Sequence, residues 1–175
     1  MPSPLSTPLD SPRPTLRELA LFGVLGGLTF AAKVVMAPLP NIEPVSLLVM
    51  LFAAVLGKKA LYPIYVYVLL EFALFGFGLW SVSYLYVWTI LAGAALALRD
   101  MDSALGWALL SGTFGLLFGA LCAPVQLFTG GWAFALSWWV NGIPFDLLHC
   151  AGNFALALVL FKPLRRVLDG LYGCL

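Results

Sequence analysis

The chain has 175 residues, of which 62% are hydrophobic and only 10% are charged. Soluble domains carry about 25% charged residues, so nine basic and eight acidic side chains cannot cover a soluble surface of this size. This composition excludes a soluble enzyme, a nucleic-acid-binding protein and a disordered chain. The class that it predicts is an all-α membrane protein. Three cysteines without a Cys-x-x-Cys pair and a single histidine predict neither a disulfide framework nor a metal site, and no cofactor is expected.

The apolar segments divide the chain into six predicted transmembrane helices, because about 20 apolar residues cross a bilayer. In chain order they are residues 19–37, 42–56, 60–79, 82–98, 104–128 and 143–161. A further apolar stretch, residues 131–140, is too short to cross and is interpreted as an interfacial or re-entrant segment. The expected fold is one compact six-helix bundle over residues 16–168. A proline-rich disordered tail precedes it over residues 1–15, and a short tail follows over residues 169–175.

The basic residues indicate how this bundle is oriented. Eight of the nine lysines and arginines fall on one side of a six-span arrangement, and Lys33 near the outer end of the first span is the exception. The eight are Arg13, Arg17, Lys58, Lys59, Arg99, Lys162, Arg165 and Arg166. The positive-inside rule then places both termini in the cytoplasm. A five-span or seven-span chain would separate the C-terminal basic cluster from the N-terminal one.

Ionisable side chains inside a membrane are costly and mark candidate functional sites. Glu71 lies about 16 Å along the third span, close to the midplane, at a rise of 1.5 Å per residue. On the sixth span, Asp146, His149 and Asn153 share one helical face because they are spaced three and seven residues apart. Glu43 lies in the outer connection before the second span. The outer half of the bundle is therefore expected to collect acids, a histidine and amides.

Tryptophans and tyrosines are also concentrated in the outer half of the predicted bundle. An aromatic belt at the membrane interface is one explanation for them. A pocket for a small organic molecule is the other, since such pockets combine aromatic walls with a few polar groups. The scarcity of aromatic residues at the opposite edge favours the pocket. The predicted substrate-binding residues are Glu43, Glu71, Trp80, Tyr84, Trp138, Trp139, Asn141, Asp146, His149 and Asn153, with Lys33 as an additional candidate.

Structural explanations stay open for the polar residues. Lys33 and Glu43 could simply pair with each other at the interface, or the Lys33 side chain could snorkel to the interface by itself. Glu71 could be a structural carboxylate that accepts hydrogen bonds from the hydroxyls of Tyr65 or Tyr67. Either arrangement would satisfy these groups without any ligand.

For the polar residues of the sixth span, too, a structural explanation stays open beside the functional one. These residues do not form a recognisable catalytic group. His149 could be a satisfied packing histidine, and Asp146 could be an acid in the first turn of a helix that begins at Asn141 and Pro144. One histidine and two separated acids do not mark a nucleophile, and no hydrolase, metalloprotease or ATP-binding motif is present. The chain is therefore not expected to be an enzyme.

A stripe of small residues marks the first span as a surface for close helix packing. Gly23, Gly27 and Ala31 recur every four residues, and Ala20 and Gly26 extend the stripe. Small residues let a second helix approach closely in a membrane. That second helix could belong to a partner protein or to the same bundle.

These features together resemble the substrate-binding (S) component of an energy-coupling factor (ECF) vitamin transporter over about residues 16–168. Particular stretches carry the resemblance. Residues 17–23 (RELALFG) resemble the N-terminal segment of such proteins, and residues 41–46 (NIEPVS) resemble the start of their second span. Residues 142–154 (GIPFDLLHCAGNF) resemble the beginning of their sixth span, and residues 162–164 (KPL) its end.

The resemblance implies a division of labour between several proteins in a bacterial plasma membrane. This chain would capture a vitamin or related micronutrient from outside, while a transmembrane coupling (T) subunit and two cytosolic ATPase subunits would drive uptake. The family usually docks on the coupling subunit through an alanine-x-x-x-alanine pair, whose places Gly23 and Gly27 would take. Its outer loops line the pocket and correspond here to residues 41–43, 80–86 and 132–141. The other contacts implied are with membrane lipid, and none is with nucleic acid.

Two other functions are compatible with a six-span chain of this length. A structural or scaffolding membrane protein similar to the MreD proteins of bacterial cell-wall assembly would have no dedicated ligand. A small intramembrane enzyme would depend on Asp146 or His149 for turnover rather than for binding.

Overall fold

The computed structural model describes residues 13–39 and 42–174, and every regular element in that part of the chain is helical. The helices are α1 (Leu16–Met36), α2 (Val45–Leu56), α3 (Leu61–Phe75), α4 (Leu79–Tyr84), α5 (Val87–Ala97) and α6 (Ala104–Gly173), with a 3₁₀ turn (Gly57–Ala60) between α2 and α3. Residues 1–12 of the predicted tail, and Asn41, lie outside the described residues.

Four stretches of the described chain are long and apolar enough to cross a membrane. They are Leu16–Met36, Val45–Phe75, Leu79–Ala97 and Ala104–Gly173. The all-α class and the presence of membrane-spanning helical length are therefore confirmed. Val45–Phe75 and Ala104–Gly173 each contain two of the predicted spans, and each is interrupted at a glycine with positive φ, Gly57 (61°) and Gly131 (73°). Glycine adopts this left-handed region at no steric cost.

The interruption at Gly131 divides α6 into a first arm, residues 104–130, and a second arm, residues 132–173. The prediction of an interfacial or re-entrant segment over residues 131–140 is corrected in one respect, since the segment is not re-entrant. Residues 132–140 are helical and continuous with the last predicted span, because one glycine supplies the whole reversal. The helix also continues through Gly173, so the expected C-terminal tail after residue 168 is in fact helical almost to its end.

The two arms pack against each other in opposite directions. A Cβ added to Gly115 would lie 2.8 Å from the backbone of His149, so the two backbones are in direct contact there. One turn further along the first arm, the Gly119 N–H donates a 3.0 Å hydrogen bond to Asp146 Oδ1. The first arm thus approaches the second through a surface of glycines, and this contact positions Asp146 and His149.

Helices α1 and α3 run side by side in the same direction. Near their starts, the rings of Phe22 and Tyr62 stack with centroids 5.5 Å apart. Gly26 brings the two backbones together, since a Cβ there would lie 2.8 Å from the carbonyl oxygen of Pro63. Gly26 therefore packs inside the bundle rather than belonging to an exposed stripe.

The basic residues gather at one end of the molecule, which we call the basic end: residues 13–18, 57–60, 98–103 and 162–172. A buried cluster joins three of these segments. Lys59 Nζ and the Tyr172 hydroxyl both donate to Glu18 Oε1, over 2.7 and 2.6 Å. Glu18 is only 4% exposed. Its burial is compensated by these two bonds, and the basic end ties the first helix to the last.

Removing one of these hydrogen bonds has a predictable cost. Tyr172→Phe is expected to destabilise the protein by about 1.5–3 kcal/mol, the contribution of a hydrogen bond to a charged group. Tyr62→Phe is the matched control, because the Tyr62 hydroxyl makes no hydrogen bond within the described part of the chain. Thermal unfolding in detergent measures both. Equal losses from the two variants would contradict the assignment.

Candidate functional site

The end of the bundle opposite the basic end contains a buried ion pair. Lys33 Nζ lies 2.6 Å from Glu71 Oε2, and the side chains are 23% and 2% exposed. Lys33 also donates to the Tyr84 hydroxyl over 3.4 Å. The two alternatives open from sequence were Glu43 as the partner of Lys33 and a tyrosine hydroxyl as the partner of Glu71. Neither is the arrangement observed, because parallel packing of α1 and α3 brings Lys33 and Glu71 to the same level.

This ion pair forms part of the wall of a cavity of about 460 Å³. Small-molecule pockets typically measure about 300–1,000 Å³. The cavity is lined by residues of α1, α3 and α4 and by the residue that follows α1, namely Lys33, Val34, Ala37, Glu71, Phe75, Trp80 and Tyr84. Three of the predicted substrate-binding residues, Glu71, Trp80 and Tyr84, therefore share one opening.

A chain of aromatic rings leads from the cavity into the bundle. Trp80 and Tyr84 have ring centroids 5.1 Å apart, and Tyr84 and Trp88 5.3 Å apart. Trp88 then contacts Phe118 at 5.8 Å, and Phe118 contacts the His149 ring at 5.0 Å. The cavity wall and the second arm of α6 are thus parts of one continuous aromatic region.

The polar side chains of the second arm lie at the inner end of this region. Asp146, His149 and Asn153 are all buried, and they face α2 and the first arm. Asn153 Nδ2 donates to Ser46 Oγ over 3.0 Å. His149 Nε2 lies 3.8 Å from Glu43 Oε1, in the connection before α2. Burial raises the pKa of the Glu43 carboxyl above its usual range, and the Lys33 charge opposes that shift.

Several buried polar atoms in this region have no hydrogen-bond partner within the described residues. They are Tyr67 OH, Glu71 Oε1, Trp88 Nε1, Ser111 Oγ, Asp146 Oδ2, His149 Nε2 and Asn153 Oδ1. Leaving a buried donor or acceptor unpaired costs about 1–3 kcal/mol, so a protein rarely collects many such atoms in one place. We refer to these seven residues as the unpaired cluster. Of these seven residues, Glu71 is the one that also lines the cavity.

Three other predicted residues lie near the turn end of the second arm, away from the cavity. Trp138 and Asn141 are exposed, and the Asn141 amide donates to Ser137 Oγ over 3.3 Å. Trp139 is half-buried. It lies two helical turns before Asp146 and therefore shares its face. Because residues 132–140 are a helix rather than a loop, they do not fold back over the cavity.

Some residues of the site were not identified from sequence. Tyr67 lies one turn before Glu71 on the same helical face, and that spacing was a usable signal. Ser46 lies three residues after Glu43, in the first turn of α2, and its closeness to Glu43 in the sequence could have marked it in the same way. In the sequence, Trp88 and Ser111 look like ordinary core residues of apolar helices. Only the unpaired buried atoms seen in the structure distinguish them from other core residues.

The small-residue stripe of α1 faces away from the bundle. A Cβ added to Gly23 or Gly27 would have no atom within 4 Å. Ala20, Gly23 and Ala31 are exposed, and Gly27 is half-buried. Packing within the bundle therefore does not explain these four residues, whereas it does explain Gly26.

No family model matches the chain, and neither does any curated protein or any solved structure. Within the described residues, no group of three His, Cys, Asp or Glu side chains could hold a metal ion. The features that bear on function are therefore the cavity, the unpaired cluster and the outward-facing stripe of α1.

Proposed function

We propose that this chain is the substrate-binding component of an ECF-type transporter, and that it captures a vitamin or related micronutrient on the outer side of a bacterial plasma membrane. The unpaired cluster carries this proposal. It places hydrogen-bonding atoms without partners behind an aromatic cavity, which is the composition of a small-molecule site. A protein with a purely structural role gains nothing from leaving so many buried polar atoms unpaired.

The directions of the helices support six passages through the membrane. Helices α1 and α3 are parallel. The α4–α5 segment is antiparallel to α3, since Trp80 contacts Phe72 and Thr89 contacts Tyr65. It is also antiparallel to the first arm, since Tyr86 contacts Leu121 and Trp88 contacts Phe114. The second arm runs opposite to the first, and α2 runs with the second arm. The chain therefore reverses at each connection, with α4 and α5 together forming one passage.

The basic end identifies the cytoplasmic side under the positive-inside rule. Both termini of the bundle then lie in the cytoplasm. The cavity, at the opposite end, opens toward the outside. A ligand would enter beside Trp80 and reach Glu71 and Tyr84 first.

The outward-facing stripe supports docking on a second membrane protein. In lipid, small residues on an exposed helix face allow close contact with another helix. We assign Ala20, Gly23, Gly27 and Ala31 to contact with the transmembrane coupling subunit, which would connect this chain to two cytosolic ATPases. The remaining exposed apolar surface would contact membrane lipid.

Native mass spectrometry of the protein, gently purified from its own host, tests this function. We expect a vitamin-sized molecule bound to the chain, or the chain in a complex with a coupling subunit and two ATPases. A chain associated with cell-wall proteins and free of any small molecule would overturn the proposal in favour of a scaffold. Turnover of a substrate that Asp146 or His149 variants bind but cannot convert would indicate an enzyme.

Leucine substitutions on the stripe separate docking from ligand binding. Gly23→Leu and Gly27→Leu are expected to reduce uptake at least about tenfold, because a large side chain keeps the partner helix at a distance. Ligand binding by the isolated chain should not change. Gly93→Leu is the control, since Gly93 is also an exposed helical glycine with no atom within 4 Å of an added Cβ. Loss of uptake in all three variants alike would contradict the docking assignment.

A further inference from the structure

We propose that the ligand of this site is a small organic cation: a protonated amine carried on an aromatic or apolar body. The inference rests on the proposed function and names the chemical class of its substrate. It is carried by the hydrogen-bonding character of the unpaired cluster, by the surroundings of the Lys33 ammonium group, and by the balance of charge at this end of the bundle.

The unpaired cluster is richer in acceptors than in donors. Glu71 Oε1 and Asp146 Oδ2 are carboxyl oxygens and Asn153 Oδ1 is an amide oxygen, and all three can accept hydrogen bonds. Trp88 Nε1 only donates, and the hydroxyls and the imidazole can do either. Glu71 is the member of the cluster that also lines the cavity. A ligand made only of acceptors would leave Glu71 Oε1 without a donor, whereas a ligand with N–H donors can satisfy it.

The surroundings of Lys33 show what kind of group the cavity accommodates. The Lys33 ammonium lies 5.4 Å from the centroid of the Tyr84 ring and 6.0 Å from the centroids of the Tyr67 and Phe75 rings. It also contacts Glu71 Oε2 at 2.6 Å. Aromatic faces combined with a carboxylate are the chemistry by which proteins recognise ammonium ligands. In this structure the ammonium group of Lys33 occupies that environment.

Lys33 can leave this position without unfolding the helix that carries it. It lies in the last turn of α1 and is 23% exposed, so its flexible stem can carry the ammonium outward to the interface. A cationic ligand would then replace Lys33 on Glu71. Lys33 thus acts as an internal competitor for the ligand.

The balance of charge favours the same class of ligand. Three carboxyl groups, of Glu43, Glu71 and Asp146, lie in this region, and Lys33 is the one lysine or arginine among its described residues. Acidic side chains therefore outnumber basic ones in this region. A cationic ligand would find several carboxyl groups as possible partners, whereas an anionic ligand would find one ammonium group that is already paired with Glu71.

Three probes of similar shape and different charge test the inference: phenethylammonium, 2-phenylethanol and 3-phenylpropanoate. Binding to the purified chain in lipid nanodiscs is followed by tryptophan fluorescence, because Trp80 lines the cavity. We expect phenethylammonium to bind at least about tenfold more tightly than either of the other probes, a difference typical of a paired buried charge. Equal binding of the neutral or anionic probe, or no binding of any probe, would overturn the inference.

Two substitutions assign the effect to the ion pair. Glu71→Gln is expected to weaken phenethylammonium binding at least about tenfold, and Lys33→Met to tighten it by a similar factor because the internal competitor is removed. Asp100→Asn is the matched control for the acid-to-amide change, since Asp100 is almost fully exposed at the basic end. If Lys33→Met fails to fold, the Glu71→Gln result decides alone, and unchanged affinity there would refute the assignment.

Failure of this inference is distinguishable from failure of the proposed function. A neutral or anionic molecule found on the chain by native mass spectrometry would leave the transporter proposal standing and overturn the cation assignment. A chain that carries no small molecule and is found with cell-wall proteins would overturn both.

Discussion

Lys33→Met is expected to destabilise the protein more than Glu71→Gln, although each removes the same ion pair. The Glu71 side chain is 2% exposed, so a carboxylate left without its ammonium partner cannot reach water. The Lys33 ammonium is 23% exposed and can turn outward when Glu71 is neutral. We expect losses of about 3–5 kcal/mol for Lys33→Met, typical of an uncompensated buried charge, and about 1–2 kcal/mol for Glu71→Gln.

Thermal unfolding of the single variants and of the double variant measures this asymmetry. The double variant should be more stable than Lys33→Met alone, because it removes the uncompensated charge. Lys162→Met is the control: its partner Asp102 is 95% exposed, and such surface pairs contribute about 0–1 kcal/mol. Equal losses from Lys33→Met and Glu71→Gln would show that the two side chains do not differ in their access to water.

Gly115→Ala is expected to force the two arms of α6 apart. Alanine usually stabilises a helix relative to glycine by about 1 kcal/mol. At Gly115, however, the new Cβ would lie 2.8 Å from the carbonyl carbon and oxygen of His149, which are backbone atoms and cannot turn away. We expect a net loss of about 2–3 kcal/mol, the usual cost of overpacking. Ligand affinity should fall as well, because the contact positions His149 and Asp146.

Gly170→Ala is the control for this prediction, since it is also in α6 and an added Cβ there would have no atom within 4 Å. This substitution should leave stability unchanged or raise it slightly. Opposite signs for the two variants, measured by thermal unfolding in detergent, would confirm the close approach of the arms. A neutral effect of Gly115→Ala would mean that the arms are further apart than the structure places them.

Much of the fold could be predicted from the sequence because it depends on local features. Apolar length alone predicted an all-helical chain with segments long enough to cross a membrane, and the structure has such helices. The spacing of Asp146, His149 and Asn153 predicted one shared face, and the structure buries all three. The grouping of the basic residues also follows from where the apolar segments begin and end.

What could not be predicted depends on which helices become neighbours. The pairing of Lys33 with Glu71 requires α1 to lie parallel to α3, and no local pattern specifies that contact. The same holds for Gly26, which resembles Gly23 and Gly27 in sequence but is packed against α3, whereas an added Cβ at either of the other two would meet no atom within 4 Å. At Gly131, a single residue reverses the chain by taking a positive φ, so no re-entrant segment is needed there.

The buried carboxylate of Glu18 has a consequence for the order in which the protein is made. Lys59 follows Glu18 by 41 residues, but the Tyr172 hydroxyl follows it by 154. During synthesis, Glu18 is therefore made long before its last hydrogen-bond donor. Until then it lacks one of the donors that compensate its burial in the finished bundle. The buried cluster at the basic end is complete only when the last turns of α6 have been made, so completion of this cluster is coupled to completion of the chain.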